Sequence, residues 1–171
     1  MSSEKNDQPV VLVVQGSASD SDALAGCFRT LDTLEIPYVR RILSAHRTPA
    51  EADALFAGAE SDGVRVIIAA AGLAAHLAGA AASRSLLPVI GIPLAAGTLG
   101  GLDALLSTVQ MPPGVPVATV GVGGHGAANA ALLAARILAL GDPGLRGRLT
   151  EHREGQRAKV LEADAGIGRE K

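Results

Sequence analysis

The chain has 171 residues and a formal net charge of −2, from 15 basic and 17 acidic side chains. This length predicts one domain that is large enough to bury a good hydrophobic core, and the balanced charge gives no electrostatic reason to expect nucleic acid or an anionic membrane as a partner. The lone cysteine, Cys27, excludes an internal disulfide and a multi-cysteine metal site. We expect it to be a small buried residue on a helix.

Composition also bears on assembly and location. Hydrophobic residues make up 48% of the chain but aromatic residues only 2%, so Ala, Val, Leu and Ile must form the core. Small side chains bury little apolar area each, which favours a homo-oligomer that buries further surface between subunits. Residues 1–8 are polar and predict a disordered N-terminus without a signal segment. No unbroken apolar run approaches the ~20 residues that span a bilayer, so we expect no membrane contact and a cytoplasmic protein.

Short runs rich in Val and Ile alternate along the chain with segments of helical periodicity. The strands are predicted at residues 10–14, 38–43, 64–70, 88–92 and 115–122. The helices are predicted where apolar residues recur from 24 to 34, after a capping Thr48 followed by Pro49 and Glu51, and at residues 74–83, 101–109 and 127–140. The last of these is apolar nearly all round and should be buried on most sides.

This alternation predicts an α/β fold. Strands buried on both faces and joined by helices imply a three-layer αβα sandwich around a parallel, doubly wound five-stranded sheet, flavodoxin-like or Rossmann-like. Residues 9–140 would form this single domain, and residues 141–171 a helical C-terminal extension. Residues 145–163 are charged with a sparse apolar stripe. They could form a solvated helix or an arm packed on a neighbouring subunit.

In open parallel sheets, ligands bind beyond the carboxyl ends of the strands, so the segments after the strands are the candidate site. The first strand is followed by Gly16, Ser17, Ala18, Ser19 and Asp20. Free N–H groups and hydroxyls at a helix start favour a phosphate, and a carboxylate can accept hydrogen bonds from ribose. The alternative is that Ser19 or Asp20 only caps the helix.

Residues 44–49 follow the second strand and include His46 and Arg47. Arginine holds phosphate through two parallel N–H bonds, and histidine transfers protons near neutral pH. Both residues fall at a strand end beside a helix start, on the predicted ligand edge. A phosphate and proton-transfer role is therefore favoured over a chance surface pair.

Residues 72–79 follow the third strand and are apolar apart from His76. A lining of small apolar residues suits a small uncharged species, although His76 could equally be a core histidine. His125 and His152 are interpreted as structural. His46 and His76 lack a third partner and fall short of a usual metal site, so no metal is expected.

Four segments together resemble the class I 5-(carboxyamino)imidazole ribonucleotide mutases of purine synthesis. They are residues 16–20, the string Ser-Ala-His-Arg-Thr-Pro at 44–49, residues 72–79 with Ala-Ala-His-Leu, and residues 109–112 with 114–119. The second and third strings together are highly specific, and the likeness extends over residues 9–140. The resemblance makes that segment the catalytic domain and implies an octamer with active sites at subunit contacts.

The resemblance also implies the reaction, in which a carboxylate moves from the exocyclic nitrogen to ring carbon 4 of a ribonucleotide through bound CO2, without metal, biotin or ATP. His46 would be the general acid/base, with His76 at the wall of the CO2 pocket. The remaining implied substrate-binding residues are Gly16, Ser17, Asp20, Ser44, Ala45, Arg47, Gly72, Leu73, Ala74 and Leu77.

The sequence departs from this family at four of its usual residues. Gln15 replaces methionine, Ser21 tryptophan, Leu73 glycine and Ala78 proline. A leucine in a left-handed backbone would cost about 1–2 kcal/mol, and otherwise its side chain would reshape the gas pocket. Two alternatives therefore stay open: a direct carboxylase that uses CO2, and a nucleotide-binding module without catalysis. Arg47 and His76 favour the mutase over the direct carboxylase.

Overall fold

The structure is a computed structural model, and it describes residues 8–167. A 3-10 turn at Ala18–Asp20 precedes the first helix. The strands are β1 (Val11–Gln15), β2 (Tyr38–Ile42), β3 (Val66–Gly72), β4 (Val89–Leu94) and β5 (Ala118–Thr119). The helices are α1 (Ala25–Thr33), α2 (Pro49–Gly58), α3 (Leu77–Arg84), α4 (Leu102–Val109), α5 (Gly124–Leu138) and α6 (Pro143–Ile167).

The strands form one parallel sheet in the order β2-β1-β3-β4-β5. This is the predicted doubly wound sheet, and its order is the flavodoxin-like one. The chain leaves β1 toward one edge and then turns back through β3 toward the other, so the topological switch point lies between β1 and β3. The predicted fold class is confirmed, and the switch point marks where a ligand would bind.

Alternate residues of β1 enter two separate cores, as the twofold repeat of a strand requires. Val11 and Val13 pack with α1, α5 and the start of α6. Leu12 and Val14 pack with α2 and α3 on the other face. Because helices cover both faces, the sheet is the buried middle layer of three, and its strand ends are the part left open for function.

The fifth strand is the main error in the predicted elements. The prediction spanned residues 115–122, but only Ala118–Thr119 pairs with β4. Beyond it, Val120 and Gly123 donate to the carbonyls of Gly91 and Pro93 on β4. Pro93 has no N–H to donate back, so the regular ladder cannot continue beside it. The other strands match the prediction to within about two residues at each end.

One helix prediction is confirmed and another needs correction. Helix α5 is buried on most sides: beyond its first turn only Asn129 and Arg136 are exposed, and its fully buried stripe consists of small residues such as Ala130. Thr48 does stand at the start of α2, but its hydroxyl makes no cap bond to that helix. It bonds back to Ser44 instead, as described below.

The described part of the C-terminal segment forms one helix, α6. Its first turns are anchored to the domain: Leu145 is buried, and Arg148 Nε donates to the Leu34 carbonyl at 2.8 Å. Beyond His152 every described residue is exposed, Val160 and Leu161 included. Of the predicted disordered segment 1–8, only Gln8 lies within the described residues. No helix in the described range is long and apolar enough to cross a membrane.

Candidate active site

An open cleft of about 500 Å³ lies at the carboxyl ends of β1, β2 and β3, beside the switch point. Every site residue predicted from the sequence lines it, and so do three residues absent from that prediction, Ser19, Ala71 and Ala96. The cleft is built from a first loop (residues 16–20), a second loop (residues 44–48) and a third loop (residues 72–77). The structure therefore brings together segments that are far apart in the chain, as the strand-end argument expected.

The first loop is held by reciprocal hydrogen bonds around the 3-10 turn. The Ser17 side chain accepts from Ser19 N, and Asp20 Oδ2 accepts from Ser17 N at 2.9 Å. This is a capping box, with Ser17 in the capping position that the sequence had offered to Ser19 or Asp20. The Ser19 hydroxyl also donates to Ser17 Oγ at 3.0 Å. A capping role for this loop is therefore confirmed, but the capping residue is Ser17 and not Ser19 or Asp20.

The Asp20 carboxyl is partly withdrawn from water at the bottom of this loop. Burial raises its pKa above the usual value, although the Ser17 N–H, the Ser19 hydroxyl and the Arg47 charge each act to lower it. A carboxylate that is costly to desolvate gains from further hydrogen-bond donors. Asp20 is therefore suited to accept hydrogen bonds from the hydroxyls of a ligand.

The second loop is closed by Ser44 and Thr48. Thr48 Oγ1 accepts from Ser44 N at 2.9 Å and donates to the Ser44 carbonyl at 3.1 Å. Ser44 Oγ in turn accepts from the backbone N–H groups of His46 and Arg47. These bonds set the loop backbone, and they turn the His46 and Arg47 side chains into the cleft.

A direct bond joins the first and second loops. The Arg47 guanidinium donates to the Gly16 carbonyl at 3.1 Å. A guanidinium has five N–H donors, so most of them remain available to an anion in the cleft. Among the described residues, Arg47 has no carboxylate partner within ion-pair distance. Its charge is therefore available to the ligand.

The Ser17 and Ser44 hydroxyls act as acceptors within their own loops. Ser17 Oγ and Ser44 Oγ each accept two hydrogen bonds from their own loops. Within residues 8–167, neither hydroxyl donates to another group. Each hydroxyl therefore keeps a proton that it can donate to an acceptor in the cleft.

The third loop supplies an apolar wall. Leu77 is buried, and Leu73 and Ala74 lie at the open rim. Leu73 has φ +57°, in the left-handed region. A Cβ on Gly72 would come within 2.7 Å of the Ala96 side chain. Glycine is needed there for close packing, and the sequence alone gave no signal for the contribution of Ala96, which follows β4.

The two cleft histidines are neighbours. The rings of His46 and His76 have centroids 5.6 Å apart and planes tilted by 47°. Two imidazoles thus face the same space, between the polar loops and the apolar wall. Neither His125 nor His152 reaches this cleft. Both lie on a separate groove between α1, α5 and α6.

The fold and the cleft define the class of the protein: a flavodoxin-like α/β protein with a small-molecule site at its switch point. Within that class the chain belongs to the AIR carboxylase family, whose model matches residues 10–159.

Individual relatives agree with this family. An N5-carboxyaminoimidazole ribonucleotide mutase of Bacillus subtilis is 48% identical over 91% of this chain and 96% of its own length. A mutase of the same name from Escherichia coli K12 is 45% identical over 94% and 95%. The crystal structure of Treponema denticola PurE superposes with a TM-score of 0.85 at 30% identity, over 94% of this chain and 99% of that one.

Proposed function

We propose that this protein is an N5-carboxyaminoimidazole ribonucleotide mutase, an isomerase of purine biosynthesis. It would convert 5-carboxyamino-1-(5-phosphoribosyl)imidazole into 5-amino-1-(5-phosphoribosyl)imidazole-4-carboxylate. The observation that carries the proposal is the meeting, in one cleft, of a hydroxyl and guanidinium cluster, a pair of imidazoles and an apolar wall. The names of the relatives point to the same reaction.

The polar end of the cleft would hold the sugar phosphate. Ser17 and Ser44 would donate their hydroxyl protons, and the Arg47 guanidinium would donate several N–H groups to the phosphate oxygens. Asp20 would accept from the ribose hydroxyls. Gly16 and Ala45 lie between these groups and allow the substrate to approach the backbone.

The reaction has two steps, a decarboxylation at the exocyclic nitrogen and a carboxylation at ring carbon 4. The bond between the exocyclic nitrogen and the carboxylate breaks, CO2 leaves, and the nitrogen gains a proton. Ring carbon 4 then forms a bond to the same CO2 and loses its own proton. No net proton or electron is exchanged, so the chemistry calls for a proton carrier but for no redox cofactor or energy source. We assign that carrier to His46, because histidine moves protons near neutral pH.

The CO2 would be held against the third loop. Gly72, Leu73, Ala74 and Leu77 offer an apolar surface, with His76 beside it. Such a wall keeps the neutral molecule close to carbon 4, so that recapture competes with escape.

A direct substrate assay tests the function. The enzyme is incubated with the carbamate substrate, and the 4-carboxylated product is followed. We expect turnover by the wild type, and a loss of roughly 10²–10⁴-fold in His46→Asn. His152→Asn is the matched control because that residue lies outside the cleft, and it should keep wild-type activity. Undiminished turnover in His46→Asn would refute the assigned role. Turnover only with added bicarbonate would indicate a direct carboxylase, and binding without turnover a non-catalytic module.

The proposal extends to assembly and organisation. We assign catalysis to residues 9–140, because every cleft residue lies within them, and treat residues 141–171 as an extension. We also propose a homo-oligomer, an octamer by family resemblance. Its support is an exposed apolar stripe on and before α4, formed by Leu99, Leu102, Leu106 and Val109. Sedimentation showing only monomer at micromolar concentration would contradict it. The cytoplasm is the location that fits a nucleotide-synthesising enzyme.

A further inference from the structure

A buried amide lies directly beneath the first loop. Gln15, the last residue of β1, is 2% exposed. Within residues 8–167 the only other buried polar or charged side chain is Thr108, which bonds inside its own helix. A buried polar group costs free energy unless it is hydrogen-bonded. The hydrogen-bond partners of the Gln15 amide therefore indicate its structural role.

The two partners flank the 3-10 turn of the first loop, Ser17 just before it and Ser21 just after it. Gln15 Nε2 donates to the Ser17 carbonyl at 2.8 Å and to Ser21 Oγ at 2.7 Å. The two bonds span the 3-10 turn that carries Ser19 and Asp20. The Gln15 amide therefore connects the residue before the turn, Ser17, to the residue after it, Ser21.

The amide is itself fixed by the sheet. The Gln15 carbonyl accepts from Leu43 N on the β2 side, and Gly16 N donates to the Ala70 carbonyl on β3. The side chain thus extends from backbone that is held on both sides. Neither Gln15 nor Ser21 lines the cleft, so any effect on a ligand must pass through the loop.

We infer that Gln15 and Ser21 are a positioning pair that holds the first loop in its ligand-binding conformation. Both are positions at which the sequence departs from the family pattern, and a hydrogen bond joins them, so the two departures act as one unit. The inference rests on the proposed function only in taking the ribonucleotide as the ligand. Preorganising a binding loop strengthens ground-state and transition-state binding alike, so its loss should raise KM and leave kcat unchanged.

Steady-state kinetics test the pair. Ser21→Ala removes one acceptor, and Gln15→Met removes both donors while keeping an unbranched side chain of similar length. Ser21→Ala should raise KM about 3- to 10-fold, the range expected for losing one net hydrogen bond, and Gln15→Met, which loses two, about 10- to 100-fold. Both should keep kcat within about twofold. Ser21→Thr retains the hydroxyl and should restore the wild-type KM. In the Gln15→Met background Ser21→Ala should add nothing further, because its effect runs through the amide.

Thr108→Val is the matched control, since it removes the other buried polar group, which lies on α4 and outside the cleft lining. It should lower stability without changing KM. Unchanged KM in both loop variants, or KM changes that Thr108→Val reproduces, would overturn the positioning role.

Amide hydrogen exchange separates this inference from the proposed function. In the free protein, Gln15→Met should speed exchange at Ser19 and Asp20 but leave Val11 to Val14 protected. If the wild type turns over no substrate but this local change appears, the proposed function fails and the positioning pair stands. If the loop exchanges as in the wild type, the pair is refuted whatever the activity.

Discussion

Leu73 is a leucine in a left-handed backbone, and replacing it tests how much strain the third loop carries. Its φ is +57°, and its carbonyl accepts from Ala75 N at 2.8 Å, so this conformation forms part of a tight turn. For an L-residue with a Cβ this region costs about 1–2 kcal/mol. Glycine has no such penalty. An alanine variant is usually more stable than the glycine variant at the same position, but at residue 73 we expect Leu73→Gly to be the more stable of the two.

The magnitude follows from three contributions. The Leu73 side chain is 54% exposed, so its truncation loses about half the 1.5–3 kcal/mol of a fully buried leucine, and this loss is nearly the same in both variants. Glycine then gains the relieved strain of about 1–2 kcal/mol and loses about 0.5–1 kcal/mol through its greater freedom in the unfolded chain. Leu73→Gly should therefore be more stable than Leu73→Ala by about 0.5–1 kcal/mol.

Urea unfolding at one fixed protein concentration measures the difference, since an oligomer's apparent stability depends on concentration. Ala80→Gly is the matched control, because Ala80 lies inside the helix α3 and glycine there should cost about 0.5–1 kcal/mol. The reasoning is refuted if Leu73→Gly falls below Leu73→Ala by as much as Ala80→Gly falls below the wild type.

Two other predictions concern the ionisable groups with displaced pKa values. Burial raises the pKa of Asp20, so the folded state holds more protons than the unfolded state above the usual carboxyl pKa, and this group's contribution to stability falls as pH rises through that window. Asp20→Asn should remove that slope in a pH series of unfolding measurements and weaken ligand binding; an unchanged slope would exclude Asp20 as its source. Burial raises the pKa of Cys27 to about 12, so this fully buried thiol should react with a disulfide reagent at pH 8 only as fast as the protein opens. Labelling of the native protein as fast as in denaturant would contradict it.

The fold and most of the site could be predicted because they depend on local signals. The unbroken apolar run in β1 marks a strand buried on both faces, and the rule that ligands bind at strand ends then selects the loops after β1, β2 and β3. Ser17, His46 and Leu77 all fall on those loops and line one cleft. Ala96 was missed because the residues directly after β4, 95–97, carry no polar side chain that would mark a site.

The remaining features depend on contacts between distant residues. Nothing near residue 120 shows that Pro93, on the neighbouring strand, interrupts the β5 ladder. Likewise, the sequence around Thr48 is typical of a helix cap, but the Thr48 hydroxyl is hydrogen-bonded to the backbone of Ser44 instead. A sequence allows several hydrogen-bond partners for one side chain, and the folded backbone determines which of them lies within reach.

The same hydrogen bonds bear on the choice between capping and ligand binding that the sequence left open for the first loop. Capping and ligand binding appeared to be rival roles for its hydroxyls, but a hydroxyl has two acceptor sites and one donor. Ser17 Oγ accepts from the N–H and the hydroxyl of Ser19, and Ser44 Oγ accepts from two N–H groups of its own loop, which stiffens the backbone and leaves each serine with a proton to donate. In the proposed binding mode these same serines donate to the phosphate, and a serine without such bonds would hold its hydroxyl oxygen less firmly. In this cleft the structural role of each serine is the physical condition for its proposed binding role.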